Sequence, residues 1–182
     1  MALSLRKIRL RLVWLLIIPF LWFARPTPVS LLLGSGLSVL GLFIRAWAAG
    51  FIRKDQQLAT SGPYGHTRNP LYLGSFLLGL GVTLAGAQWL FVVAFLVFFF
   101  GVYGATIRSE AELLDGLFGE QYRDYAANVP LLLPRVTPYR APEPWVSVGA
   151  FSVERYAGNK EYEALLGTVA AFGFLWIRMY IG

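Results

Sequence analysis

Cysteine is absent from this chain of 182 residues. That excludes a disulfide, a thiolate nucleophile and a cysteine-ligated metal, and leaves the redox compartment unmarked. Histidine is almost absent: His66 stands alone, which argues against a zinc site built from protein ligands, and no metal is expected. No Ser/His/Asp set is evident either. Charge is scarce, at 14% of residues against about 25% in ordinary soluble domains. What fills the chain instead is apolar, 57% hydrophobic and 16% aromatic, and it comes in blocks, the pattern of membrane helices and not of one large core. The net charge of +6 is not gathered on a soluble face, so nucleic acid is not the expected partner. It reads as a positive-inside bias.

The expected fold class is an all-α integral membrane protein forming a single domain over residues 1–182, with about five transmembrane helices. These are placed at about 8–24, 29–52, 71–86, 89–107 and 163–181, with a cytoplasmic helical cap at about 108–160, after the fourth. Arg6, Lys7, Arg9 and Arg11 precede the first apolar run, and Trp22 and Phe23 before Ala24 do not make a small-residue cleavage site. That run is therefore read as a first span, with Pro19 as a tolerated kink. With the N-terminus inside, only Arg25 and Arg178 fall outside, so the N-terminus and the Ser61–Gly74 loop are expected on the cytoplasmic side. The pairs Gly34/Ser38, Ala46/Gly50, Ser75/Gly79 and Gly81/Ala85 lie four residues apart and suit close helix packing. The short Gly86–Gln88 link predicts an antiparallel hairpin.

The polar stretch Ser61–Gly74 runs straight into an apolar segment. Gly62-Pro63 and Gly65 are turn residues, and Asn69-Pro70 places proline at a first helical turn. Tyr64, Arg68, Asn69 and Tyr72 are thus held at the mouth of a membrane helix, which is costly unless they bind something. Arg45 lies inside the second span. It either snorkels towards Arg53 and Lys54 or partners a carboxylate or an acidic ligand within the bundle. Ser109–Tyr125 reads as an amphipathic helix interrupted by glycines. Counting from Glu110, its apolar face carries Leu113, Leu114, Leu117 and Phe118, so Glu110 is expected to point at the bundle, with Glu112 and Asp115 towards solvent. Arg45, Arg68, Arg108 or a ligand ammonium are the candidate partners of Glu110.

These residues carry a resemblance. Gly62-Pro63-Tyr64-x-x-x-Arg68-Asn69-Pro70-x-Tyr72-x-Gly74, a helical hairpin, then Glu110 ahead of Phe118-Gly119-x-x-Tyr122-x-x-Tyr125-x-x-x-Val129-Pro130 and Pro134 together resemble the isoprenylcysteine carboxyl methyltransferase family, which shares part of this pattern with phospholipid methyltransferases. The likeness covers about residues 45–135. It implies an S-adenosylmethionine-dependent methyltransferase that takes a lipophilic acceptor sideways from the bilayer. It also implies cofactor contacts at Gln56, Gln57, Leu58, Ala59, Tyr64, Arg68, Asn69, Pro70, Leu71, Tyr72 and Glu110, with Tyr122 and Tyr125 beside them, and Arg108 and Arg45 as candidate catalytic cations. A cofactor carrying a sulfonium, an ammonium and a carboxylate wants a carboxylate, polar donors and aromatic walls together, and Glu110, Tyr64 and Tyr72 supply these types. The acceptor stays open between a prenylcysteine-type carboxylate, a lipid amine and another isoprenoid.

Two other readings stand beside it. An NADPH-dependent membrane enone or sterol reductase shares the Tyr-Gly-x-x-Tyr and Val-Pro elements, but no basic cluster for a 2′-phosphate is present. A non-enzymatic membrane scaffold or transport protein is opposed by polar residues gathered at one end of the bundle with none on a path to the midplane.

Overall fold

In a computed structural model of the chain, the described residues are 14, 16–52, 57–143, 145 and 150–181. Every regular element among them is helical. Helix α1 (16–23) is followed by α2 (Pro28–Ala49), a 3-10 turn at Gly62–Gly65, α3 (Pro70–Ala85) and α4 (Trp89–Phe98). A π-helical turn at Phe99–Tyr103 then leads into α5 (Gly104–Phe118), α6 (Glu120–Asn128), α7 (Val153–Gly158) and α8 (Tyr162–Ile181). Three helices, Pro28–Ala49, the continuous Trp89–Phe118 and Tyr162–Ile181, are long and apolar enough to cross a membrane, whereas Pro70–Ala85 has 16 residues. Residues 8–13 and 15 of the first expected span, with Arg6, Lys7, Arg9 and Arg11, lie outside the described residues. The large apolar side chains left on the outer faces, Leu32, Val39 and Phe43 on α2 among them, form the apolar coat that suits lipid.

The α2–α3 pair is the centre of the bundle. Helix α2 starts on a capping box, in which the Thr27 hydroxyl accepts from the Ser30 amide at 3.1 Å and the Ser30 hydroxyl accepts from the Thr27 amide at 2.9 Å, with Pro28 next. Small residues then let the two backbones meet. A Cβ built on Gly41 would stand 2.6 Å from the Gly74 carbonyl oxygen, and one on Gly74 would stand 2.7 Å from that of Gly41. One on Gly34 would run into Gly81 and Ala85. The pairing is antiparallel, and Ser38 uses the closeness to donate to the Leu78 carbonyl at 3.1 Å. The pairs Gly34/Ser38 and Gly81/Ala85 therefore face each other.

Helix α4 does not end near residue 107. It continues through the π-helical turn to Phe118, so Arg108 and Glu110 lie on one helix with the membrane segment. Gly119, at φ +52°, then turns the chain sharply into α6, a conformation that suits glycine. At the far end of the bundle, Phe20, Ala24, Ala85 and Leu175 pack together, tying α1, α3 and α8. The opposite end carries nearly all the polar chemistry.

Candidate functional site

The loop before α3 is clamped by the segment after α6. The Arg68 amide donates to the Pro130 carbonyl at 2.9 Å, the Arg135 amide to that of His66 at 2.9 Å, and the Tyr139 amide to that of Gly65 at 2.8 Å. Asn69, which caps α3 by position, donates its side-chain amide to the Leu131 carbonyl at 2.9 Å, and the Thr67 hydroxyl reaches the Leu132 carbonyl at 3.1 Å. Beneath this clamp lies a small core of Leu58, Tyr122, Tyr125 and Val129, flanked by Ala111, Leu114 and Phe118 of α5. The Tyr125 hydroxyl donates to the Tyr64 carbonyl at 2.7 Å. Burial raises the Tyr125 phenol above its ordinary range. Tyr139, whose hydroxyl donates to Asp124 at 2.6 Å, is raised to about 12 by desolvation and that carboxylate.

Three polar groups converge where the clamp meets the bundle. The Tyr72 hydroxyl donates to Glu110 Oε1 at 2.5 Å. Arg45 makes a bidentate pair with Glu161, Nε to Oε2 and Nη2 to Oε1, each at 2.9 Å, and turns Nη1 to the Ser75 hydroxyl. Between them sits Tyr64, only 6% exposed. Among the described residues its hydroxyl has no hydrogen-bond partner. Burial first, then the charges of Glu161 and Glu110, push this phenol upward, with Arg45 opposing. A neutral buried hydroxyl with nothing to bond to, between two carboxylates, is a donor waiting for a ligand acceptor.

Below this group lies a cavity of about 430 Å³. Helix α3 packs against α4 on one side and α8 on the other, and the cavity is the gap between those two. Ser75, Leu78, Gly79 and Val82 line it from α3, and Ala164, Gly167, Thr168 and Ala171 from α8, each set spaced as one helix face. Phe95, Phe98, Phe99 and Tyr103 line it from the α4 side. Arg45 and Ser75 are its polar end. Tyr103 joins the two regions, stacked on Phe99 with ring centroids 4.7 Å apart and edge-on to Tyr72 at 5.4 Å.

The structure brings Arg45, Tyr64, Leu71, Tyr72 and Glu110 of the expected residues to one place. Arg45 takes the second of its two expected roles, with the carboxylate supplied by Glu161. Pro70 starts α3, Arg68 holds Tyr122 through a 3.4 Å bond, and Tyr122, Tyr125 and Leu58 serve the core of the cap. Ala59 is half-buried and Gln57 is exposed, while Gln56 lies outside the described residues. Arg108 is exposed, with no hydrogen bond or ion pair among the described residues. The expected orientation of Glu110 needs correcting. The packed face of α5 is Ile107, Ala111, Leu114 and Phe118, while Leu113 and Leu117 are more than half exposed. Glu110 reaches Tyr72 from the flank of that face. Leu113 and Leu117 are apolar but stay exposed, so the packed stripe runs through Ala111, Leu114 and Phe118 and leaves Glu110 at its edge. Glu161, Ser75 and Tyr103 were missed. Glu161 is the only carboxylate among the residues 156–165 with an apolar helix after it and less than a tenth of its surface exposed, but no local pattern pairs it with Arg45.

The fold and the site define a membrane bundle whose polar cap meets an apolar cavity at a cluster of paired charges and tyrosines. Comparison with known proteins agrees with that class. The model of the phospholipid methyltransferase family matches residues 29–121, and the chain belongs to that family. It is 40% identical over 126 residues to the cobalt-zinc-cadmium resistance protein CzcN of Cupriavidus metallidurans, covering 66% of this chain and 55% of that one. It is also 29% identical over 83 residues to the protein-S-isoprenylcysteine O-methyltransferase of Schizosaccharomyces pombe, covering 46% of this chain and 35% of that one. The chain thus spans about half the length, or less, of these curated relatives. No solved structure matches it.

Proposed function

We propose that this protein is an integral membrane methyltransferase that uses S-adenosylmethionine and acts on a lipophilic acceptor, with its site on the cytoplasmic face. The observation that carries the proposal is the buried, unpartnered Tyr64 hydroxyl set between Glu110–Tyr72 and Arg45–Glu161. Family membership and the isoprenylcysteine methyltransferase relative support the same reading.

The residues present fit this cofactor. Glu110 offers a carboxylate for its ammonium, Tyr64 a donor for an acceptor atom, and Tyr72 and Tyr103 aromatic faces for its cation or ring system. When bound, S-adenosylmethionine supplies a methyl group already activated on sulfur. The remaining work for the chain is to align the acceptor and exclude water, which requires no nucleophilic residue. The clamp of residues 129–139 over the loop excludes water from above, and the cavity below gives the acceptor its own approach. Arg45, held by Glu161, stands at the cavity end where the acceptor's polar group would arrive.

Isothermal titration of the purified chain with S-adenosylhomocysteine tests this. Glu110→Gln and Tyr64→Phe each remove a polar contact worth about 1.5–3 kcal/mol when one partner is charged, so binding should weaken about tenfold or more. Lack of binding by the wild-type chain at high micromolar concentration overturns the proposal. Mass spectrometry of lipids after incubation with methyl-labelled S-adenosylmethionine identifies the acceptor.

A further inference from the structure

Residues 131–136 have a tied backbone and yet carry apolar side chains outwards. The Pro130, Leu131 and Leu132 carbonyls accept from Arg68, Asn69 and Thr67. Arg135 is bonded to His66 twice, its amide donating to the His66 carbonyl at 2.9 Å and its own carbonyl accepting from His66 Nδ1 at 2.8 Å. The exposure of this segment is therefore fixed by the fold. Leu131 is exposed, Leu133 is 77% exposed and Val136 93%. Three such side chains within six residues make a patch and not a stray exposure.

The patch continues the lipid-facing stripe of α2. On that stripe Phe43 and Trp47 have ring centroids 6.3 Å apart, and Trp47 stands 6.2 Å from the His66 ring. His66 is the residue on which Arg135 is seated, so the line from Phe43 through Trp47 leads to Val136. Helix length gives the depth. The 22 residues of α2 span about 33 Å against a hydrocarbon core of about 30 Å. Trp47, in the last turn, thus marks the boundary, the level that tryptophan favours. Residues 131–136 lie beside it, at headgroup level. The continuous helix Trp89–Phe118, with 30 residues, carries its own end about 15 Å past the same boundary. Charge fits as well. Residues 125–142 contain no Asp or Glu but include Arg135 and Arg140. Arg140 is exposed and has no ion pair among the described residues. Nothing in this stretch repels a phosphate-bearing surface, and its cation attracts one.

We propose that residues 131–136 dock into the headgroup layer of the membrane that the bundle spans, with Leu133 and Val136 inserted beside Trp47. The clamp over the polar site then rests on the bilayer as well as on the loop before α3. This holds whether or not the chain transfers methyl groups. Because the chain has no cysteine, Leu133→Cys, Val136→Cys and Glu120→Cys each give one site for a nitroxide label. Glu120, exposed just past the turn at Gly119, is the position expected in water. The full-length variants would be placed in vesicles of equal parts phosphatidylcholine and phosphatidylglycerol. Collision of each label with oxygen, which concentrates in lipid, would be compared with that of nickel ethylenediaminediacetate, which stays in water. Oxygen should dominate at 133 and 136 and the nickel complex at 120. Dominance of the nickel complex at either 133 or 136 overturns the proposal. Shielding of both positions from both reagents overturns it too, since the patch would then be covered by protein.

Discussion

Glu161→Ala is the sharpest perturbation of the cluster. The mutation leaves the Arg45 guanidinium without the carboxylate that takes two of its nitrogens at 2.9 Å. Glu161 is 8% exposed and Arg45 23%. Breaking a buried pair by removing one partner costs about 3–5 kcal/mol, chiefly because a charge is stranded. Arg45 keeps Ser75 and some contact with water, so the low end, about 3 kcal/mol, applies. For a chain of this size that corresponds to a fall in unfolding temperature of about 6–12 °C, read by tryptophan fluorescence in detergent. Replacing both partners, Arg45→Met with Glu161→Leu, removes the stranded charge and should recover most of the loss, because a buried pair exchanged for apolar residues is often neutral. A fall below about 2 °C for the single variant, or a double variant as unstable as the sum of both single ones, refutes the reasoning.

Other tests come from the packing. Gly41→Val should separate α2 from α3 and cost about 1–3 kcal/mol by overpacking, while Gly36→Val, where a Cβ meets nothing within 4 Å, should be silent in the same melt. Tyr125→Phe strands the buried Tyr64 carbonyl and should cost about 1–3 kcal/mol, with the loop before α3 becoming easier to cleave in limited proteolysis. The tyrosines give a pH signature. Tyr139 titrates near 10.0 when unfolded and near 12 when folded, so the folded chain holds more protons in between. Stability is fully present below about pH 10 and is lost as pH rises towards 12. Absorbance of phenolate in the native chain should therefore lag that of the denatured chain, with Tyr64 and Tyr125 lagging in the same sense. Coincident titration curves would contradict the burial described.

Sequence spacing reached the bundle further than it reached the site. Gly34/Ser38 and Gly81/Ala85 were legible as packing residues because small side chains four apart make a groove whatever the partner. Gly74 was not, because it closes a turn-rich motif and looked like part of it. Its true role is to let Arg45 and the Gly41 backbone pass. The phase of Glu110 failed for a local reason: the exposed Leu113 and Leu117 widened the apparent apolar face, while the small Ala111 marks the packed one. The role of Arg45 was legible, but its partner was not, for a global reason. Its carboxylate lies 116 residues away, between the expected cap and the last expected span, and no periodicity spans that distance.

The position of the cluster reflects a constraint that neither half of the fold meets alone. On the proposed reading the methyl donor is a polar molecule from water and the acceptor is a chain from the bilayer, so the two must meet at the boundary, where a buried charge is expensive on either side. The chain solves this on the first turns of α3. Leu71, Tyr72 and Ser75 lie within five residues, and each is tied to a different neighbour: Leu71 and Ser75 to Arg45, and Tyr72 to Glu110. Arg45 draws in Glu161 and with it α8, the wall of the cavity. Glu110 draws in α5 and with it the cap. One short stretch of helix thereby couples the lid over the polar side to the wall of the apolar side. Loosening either pair should disturb both, which is why Glu161→Ala is expected to weaken S-adenosylhomocysteine binding, although Glu161 belongs to the far side of the cluster from Glu110.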